Sequence, residues 1–270
     1  MRIVSVNAWC GVLHDALAEW LPECGADVLC LQEVTRTPGL GGWVDFRDDE
    51  RQLATRANLF DDVRALLPNH QGFFVTCDSG PIGVGDRLLR QDFGLAVFVD
   101  QRFPVLGQLS RFVYRSYVDH GEAWALAGRP RQAQGIRIVD NGAAGSTAAR
   151  RTVAVAHLHG LRDPEGKHDT PDRLDQAEAL ASFVDELVKP GDLAVVCGDF
   201  NVLPDSVTFD ALGRLGLTDL VGTADTRTAR YTKPIRHANY LLVSDPSTVV
   251  HFEAPSEPEV SDHRPLILDV

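Results

Sequence analysis

Hydrophobic positions along the chain alternate between short continuous runs and amphipathic stretches, and this alternation predicts an α/β protein. Val28–Leu31 and Leu193–Cys197 are continuous apolar runs, which are typical of strands covered on both faces. Residues 171–188 form the strongest helical pattern, with Pro171 near the start and Pro190 beyond the end. Weaker patterns predict helices near residues 13–21, 59–67 and 209–215, and strands near residues 3–6, 94–99, 135–139, 152–158, 240–243, 249–252 and 265–270.

Between residues 36 and 129 the pattern is weaker. A Pro/Gly-rich stretch at 37–43 and a Gly-rich stretch at 79–86 are typical of loops, and residues 140–149 have the composition of a mobile hairpin tip. No repeat, low-complexity linker or composition break divides the chain. We therefore expect one α/β domain over residues 1–270.

Composition supports an ordinary globular protein, with 44% hydrophobic residues and 24% charged residues. No apolar run reaches the roughly 18 to 20 residues of a membrane-spanning helix, and the N-terminus lacks the pattern of a secretory signal. We therefore expect a soluble monomer without membrane insertion. The five cysteines include no close pair, which predicts buried free thiols and a cytoplasmic location.

The charge balance argues against a protein that binds nucleic acid over its whole surface. With 26 basic and 38 acidic residues, the net charge is -12, and a field of that sign repels polyanions. The segment from Arg111 to Arg151 is the exception, because it holds seven arginines against three acids. This segment is either a phosphate-binding surface or a solvated loop.

Polar side chains stand at the ends of several predicted strands. Strand ends in α/β folds converge on one crevice, so these residues together indicate a site. They are Asn7, Glu33, His157, Asp199, Asn201, Asp262 and His263.

The motifs around these residues resemble a known family. VNAW at 6–9, LQEV at 31–34, AHLH at 156–159, GDFN at 198–201 and SDHRP at 261–265 occur in the order found in the endonuclease/exonuclease/phosphatase superfamily, which has the deoxyribonuclease I-like fold. The resemblance implies a four-layered α/β sandwich, with two mixed β-sheets packed face to face and helices on the outer faces. It also implies metal-dependent cleavage of phosphate esters.

The resemblance implies a metal site and a site for the attacking water. Glu33, Asn7 and Asp262 would hold Mg²⁺, for which Mn²⁺ can substitute. Asp199 would orient or deprotonate the water, and Asn201 would donate a hydrogen bond to the phosphate. Magnesium prefers hard oxygen ligands and needs only one or two protein carboxylates, which suits these residue types.

The remaining implied roles concern charge on the phosphate. His263 would stabilise the transferring phosphoryl group, and His157 would contact a second phosphate oxygen. Arg131 and Arg129 would bind the substrate. Asn239 stands where the family has an aspartate that holds the catalytic histidine. By this resemblance Asn239 would hold His263.

The substitution at Asn239 has a chemical consequence. An amide oxygen can accept the N–H of His263, but it does not stabilise an imidazolium as a carboxylate does. We therefore expect His263 to be less basic than its relatives, unless another acid such as Asp245 takes over. Asp92 is a candidate for the acid that many members supply from the middle of the chain.

These observations predict a divalent-metal-dependent phosphodiesterase or nuclease acting on nucleic acid or a nucleotide-like substrate. The first alternative is a hydrolase of a small-molecule or lipid phosphate ester, since the shared motifs do not fix the substrate. The second is a non-catalytic binding domain on the same fold, for which Asn239 is the only support.

Overall fold

The computed structural model describes residues 1–48, 52–125, 128–142, 150–163 and 165–270. The helices within this part of the chain are α1 (His14–Glu23), α2 (Leu59–Leu66), α3 (Pro171–Leu187) and α4 (Val207–Gly213). The strands are β1 (Arg2–Asn7), β2 (Val28–Arg36), β3 (Trp43–Arg47), β4 (Gln52–Arg56), β5 (His70–Val84), β6 (Arg87–Asp100), β7 (Val105–Tyr114), β8 (Val118–Asp119), β9 (Arg131–Asp140), β10 (Arg151–His159), β11 (Leu193–Asp199), β12 (Thr218–Asp219), β13 (Asn239–Val243), β14 (His251–Glu253) and β15 (Leu266–Asp269).

The strands form two mixed sheets. The first has the order β14-β15-β1-β2-β6-β5-β3-β4, with β8 paired to β5, and the second has the order β12-β13-β11-β10-β9-β7. The pairs β1–β2 and β10–β11 are parallel, and their neighbours in each sheet are antiparallel. Ile3 and Cys30 of the first sheet share one apolar core with Val155 and Val195 of the second.

Helices cover the outer faces of both sheets. Leu17 of α1 and Leu59 of α2 pack with Leu29 of the first sheet, whereas Phe183 and Leu187 of α3 belong to the core that includes the second sheet. The predicted four-layered α/β sandwich is thereby confirmed. No described helix has both the length and the apolar character needed to cross a membrane.

The sequence predicted a loop for the Gly-rich stretch at 79–86. In the structure this stretch is instead the end of a long β5–β6 hairpin. Gly80 is required for packing: a Cβ atom there would lie 2.5 Å from the ring of Trp124. Gly80 therefore permits the close approach of an aromatic side chain, whereas Gly85 has a positive φ in the turn of the hairpin. The predicted hairpin tip at 140–149 lies outside the described residues from 143 onward.

Helix α3 lies close to its predicted bounds and buries the apolar positions Ala177, Leu180 and Val184. The Thr170 side chain caps it by accepting from the backbone N–H of Arg173. In its first turns Leu174 is 46% exposed, whereas Arg173 and Gln176 are buried. The helix turns these polar residues toward the segment that follows β10, because Gln176 accepts from the backbone N–H of Leu161.

Candidate active site

A cavity of about 590 Å³ opens where the ends of β1, β2, β10 and β11 meet the segment before β15. Most of the strand-end residues singled out in the sequence line it, as the convergence of strand ends predicts. They are Glu33, Asp199, Asn201, Asp262 and His263.

The backbone around this cavity is strained. Among the described residues, five non-glycine positions have a positive φ, and Trp9, Cys10, Glu33 and Asn201 of these line the cavity. Glu33 has φ 54° at a β-bulge, where the pairing of β2 with β6 shifts register. Such conformations persist only where surrounding structure imposes them, and they concentrate at functional sites.

Carboxylates and imidazoles alternate across the cavity. His159 Nε2 lies 3.6 Å from Glu33 Oε1 and 3.8 Å from Asp199 Oδ2. His263 Nε2 lies 3.5 Å from the same Asp199 oxygen and 3.7 Å from Asp262 Oδ1. Burial raises the pKa of Asp199 above its usual range, which suits a group that accepts a proton.

Asn7 holds two of these carboxylates together. Its Nδ2 donates to Glu33 Oε1 at 3.2 Å and to Asp199 Oδ2 at 3.0 Å, while its Oδ1 accepts from the Trp9 backbone N–H at 2.9 Å. The amide oxygen is therefore engaged with the backbone. In this arrangement Asn7 positions the carboxylates and does not offer the oxygen ligand expected from the sequence.

The structure brings Asn239 to His263, as expected. Asn239 Oδ1 accepts from His263 Nδ1 at 2.6 Å. Burial and the charges of Arg227 and Lys167 hold the pKa of His263 well below its usual value, so the ring is neutral and carries a lone pair on Nε2. Asp245 takes no part, because it caps the turn at 246–248.

The two histidines of the AHLH motif have different places, and the expectation for His157 needs correction. His157 is fully buried between the sheets, with its ring nitrogens 3.3 Å from Gln32 Nε2 and 2.9 Å from Gln134 Oε1. His159, two residues later, lines the cavity. Both belong to the same strand and point to the same side, so the sequence could not tell which one reaches the strand end.

Arg129 and Arg131 both line the cavity, but only one of them is neutralised. Arg129 forms a bidentate ion pair with Asp78 at 2.6 and 2.8 Å and lies over the rings of Phe93 and Trp124. Arg131 donates to the carbonyl of Gly160 at 2.9 Å and forms no ion pair with a described carboxylate.

The mid-chain acid differs from the predicted one. Asp92 accepts from Ser79 Oγ at 2.6 Å and does not line the cavity. Asp78 has the structural role instead, since it binds Arg129 and also lies 2.8 Å from His120 Nε2.

Two cations of the site were missed from the sequence. Arg227 Nη1 lies 2.8 Å from Asp262 Oδ2 and contacts His263 Nε2. Lys167 is buried, and its Nζ donates to the carbonyl of His237 at 2.5 Å. Both come from irregular segments without hydrophobic periodicity, so no local pattern in the sequence pointed to them.

The arginine-rich segment does not form an open basic track. Its arginines are ion-paired with acids of the same surface in three places: Arg111 with Glu186, Arg137 with Asp192, and Arg151 with Asp140. Arg115 donates to the carbonyl of Gly128 at 2.8 Å. At the cavity, Arg131 carries basic charge without an ion pair to a described carboxylate.

The cavity residues fit a magnesium ion. Among the described residues, no three His, Cys, Asp or Glu side chains are already arranged around a common metal position, but Mg²⁺ keeps several waters and needs few protein ligands. Burial raises the pKa of Asp262 to about 6, and the charges of Glu33 and Asp199 act in the same direction. A cation held by Glu33 and Asp262 would relieve this crowding of carboxylates.

Two mixed sheets in a sandwich, with acidic strand ends opening onto a basic cavity, define a class of hydrolases that act on phosphate esters. The Endonuclease/Exonuclease/phosphatase family matches residues 4–263, and the chain belongs to this family.

Solved structures share the fold at low identity. A mannosyl-6-phosphatase of Bacteroides thetaiotaomicron VPI-5482 has a TM-score of 0.68 and 16% identity, covering 100% of this chain and 98% of that chain. The human Nocturnin catalytic domain with bound sulfate has a TM-score of 0.64 and 19% identity, covering 100% of this chain and 93% of that chain. TDP2 of D. rerio, complexed with single strand DNA product, has a TM-score of 0.63 and 13% identity, covering 99% and 97%. No sequence among the curated proteins matches the chain.

Proposed function

We propose that this chain is a divalent-metal-dependent hydrolase of phosphate esters, with Mg²⁺ as its metal and Mn²⁺ as a substitute. The observation that carries the proposal is the meeting of Glu33, Asp199, Asn201 and His263 at one buried cavity. Phosphate esters resist attack by water, so a catalyst must neutralise the phosphate oxygens and place the nucleophile in line. These four residues supply groups for both tasks.

Glu33 and Asp262 would hold the metal, with water completing its coordination. When bound, the ion supplies positive charge to the nonbridging phosphate oxygens. Asn7 keeps Glu33 and Asp199 at a fixed separation through its Nδ2.

Asp199 is the proposed proton acceptor for the attacking water. The water oxygen bonds to phosphorus, the bond from phosphorus to the leaving oxygen breaks, one water proton passes to Asp199, and the leaving oxygen takes a proton from solvent. The Asn201 side chain makes no hydrogen bond to a described residue, so its amide N–H groups are available to the phosphate. The neutral ring of His263 takes up positive charge at Nε2 during the reaction. His159 contacts the second phosphate oxygen, the role predicted for His157 from the sequence.

A nuclease, the leading prediction from the sequence, is the second candidate, and the aromatic lining of the cavity supports it. Phe93, Tyr231 and Trp9 border the cavity, and aromatic side chains stack with nucleobases. A nucleic acid would enter by an end or a flipped nucleotide, because three arginines of the segment 111–151 are paired with acids.

The central test is the Glu33→Gln variant. Release of product from p-nitrophenyl phosphate and bis-p-nitrophenyl phosphate should require Mg²⁺ or Mn²⁺, and the variant should lose about 100-fold or more in kcat. The exposed Glu19→Gln on α1 is the matched control and should retain full activity. Wild-type rates for Glu33→Gln at saturating metal would contradict the ligand assignment, and absence of metal-dependent turnover in the native protein would favour the non-catalytic alternative.

We also propose that the protein works in a reducing compartment such as the cytoplasm. All five cysteines are buried free thiols, which oxidising compartments tend to convert to disulfides.

A further inference from the structure

Two buried cations at the cavity form no ion pair with any carboxylate in the described part of the chain. Arg131 uses Nε and Nη1 for backbone carbonyls of Gly160 and Pro130, and its Nη2 makes no hydrogen bond to a described residue. Lys167 donates one hydrogen bond, to the carbonyl of His237. Burial lowers the pKa of Arg131 from its usual value and that of Lys167 to about 8. A buried cation without a counterion is costly, so both residues would be stabilised by an anionic ligand.

These cations lie in different parts of the cavity. Lys167 is bonded to the carbonyl of His237, just before β13, which lies on one side of β11 in the second sheet. Arg131 begins β9, which lies beyond β10 on the other side of β11. Because Arg129 is already neutralised by Asp78, the charge of Arg131 remains available on that side. The cavity thus offers two separate positions for negative charge.

The remaining wall is apolar and comes from the first sheet. Phe46 of β3, Leu53 of β4 and Phe93 of β6 line the cavity together with Trp9. The volume of about 590 Å³ lies within the usual range for small-molecule sites. Outside the cavity, Arg111, Arg137 and Arg151 are paired with acids and do not form a continuous basic track. These features favour a compact ligand over a strand of nucleic acid.

We propose that the substrate is a small organic phosphate that carries a second anionic group. The reacting phosphate lies beside Lys167, the second anion binds Arg131, and the organic part contacts the apolar wall. This assignment rests on the proposed phosphoesterase function.

The first experiment compares substrates on the native protein loaded with Mg²⁺. A sugar bisphosphate should exceed the matching sugar monophosphate in kcat/KM by about 10-fold to 100-fold, the equivalent of one charge-assisted hydrogen bond, and should also exceed short single-stranded DNA. Equal values for the two sugars, or a preference for DNA, would overturn the inference while leaving the phosphoesterase function intact. If none of these substrates and neither nitrophenyl ester is hydrolysed, the proposed function itself fails.

The second experiment assigns the preference to Arg131. Arg131→Met should reduce the ratio of kcat/KM between the bisphosphate and the monophosphate by about 10-fold or more. The exposed Arg150→Met is the control and should keep the native ratio. An equal loss on both substrates in Arg131→Met would place Arg131 on the reacting phosphate and overturn the inference.

A third measurement does not depend on a folded variant. Inorganic pyrophosphate should inhibit the native protein at a concentration about 10-fold lower than orthophosphate, because it can span both cationic positions. Equal inhibition by the two anions would contradict the presence of a second anion position.

Discussion

Asn239 holds His263 through an amide oxygen at 2.6 Å, in a place where an aspartate would add a negative charge. Asn239→Asp should raise the pKa of His263, since an opposite charge within hydrogen-bond distance favours the protonated ring. Because the neutral ring is the form that works, the low-pH limb of the kcat/KM profile should then move to higher pH, by roughly one pH unit. Rates measured across the pH range with Mg²⁺ present will show this shift.

Asp245→Asn is the control for this change, because Asp245 only caps the turn at 246–248. Its profile should match that of the native protein. Superposition of the Asn239→Asp and native profiles would mean that the ionisation of His263 does not limit the reaction.

The burial of His157 leads to a prediction about stability and not about catalysis. Burial lowers the pKa of His157 to about 3, so the folded protein keeps the ring neutral while the unfolded chain protonates it near its ordinary value of 6.5. Between these values the unfolded state binds more protons, and the free energy of unfolding falls as the pH falls. The slope from this group approaches about 1.4 kcal/mol per pH unit.

His157→Gln should remove that part of the pH dependence, as measured by denaturant unfolding at a series of pH values. The exposed His251→Gln is the control. An unchanged slope in His157→Gln would show that other groups dominate acid unfolding.

Helices and strands could be predicted from the sequence where their hydrophobic pattern is strong. β2, β11 and α3 were recognised because continuous apolar runs and helix caps mark them in the sequence. β3, β4 and the outer half of the β5–β6 hairpin were missed. β3 and β4 have only five residues each, so the alternation in β3 is too short to stand out, and the hairpin is rich in glycine because Gly80 lies against Trp124. β7 was also missed, because its aromatic and arginine residues do not resemble a buried strand.

The site was predictable to the extent that it lies at strand ends. Glu33, Asp199 and His263 follow or precede recognisable strands, so motif and strand end coincide. Arg227 and Lys167 lie in irregular segments whose paths depend on tertiary hydrogen bonds. No local pattern could therefore place them at the cavity.

The segment between β10 and α3 shows how such a residue is fixed. Arg173 donates from Nη2 to the carbonyl of Gly166 at 2.7 Å and from Nη1 to the carbonyl of His168. These carbonyls flank Lys167 on both sides. The first turn of α3 thereby holds Lys167 in place for an anionic ligand.

The low pKa of Lys167, about 8, predicts a pH effect on substrate binding. Above this pH the amine loses its charge, so KM for a phosphate ester should rise, approaching about tenfold per pH unit. Lys167→Arg keeps its charge and should show a flat KM over the same range. The exposed Lys189→Arg is the control, and a rise in KM in all three proteins would assign the effect to another group.

Over the whole molecule, charge is distributed unevenly. The chain has a net charge of -12, yet Arg129, Arg131, Lys167 and Arg227 all line one cavity. Elsewhere, acidic residues pair with surface arginines in places such as Arg111–Glu186 and Arg137–Asp192. A local basic cavity on an acidic protein favours small anions over polyanions, because a polymer would also meet the repulsive outer surface.

The left-handed backbone at Trp9, Cys10, Glu33 and Asn201 sets a limit on how stable this protein can be. Each such position costs about 1 to 3 kcal/mol, and a domain has only roughly 5 to 15 kcal/mol in total. Selection for thermal stability alone would therefore favour glycine at these places and would remove the side chains of the site with the strain. Because four larger residues occupy these positions around the cavity, stability and activity place opposing demands on the same backbone conformations, as in other proteins that store strain where they work.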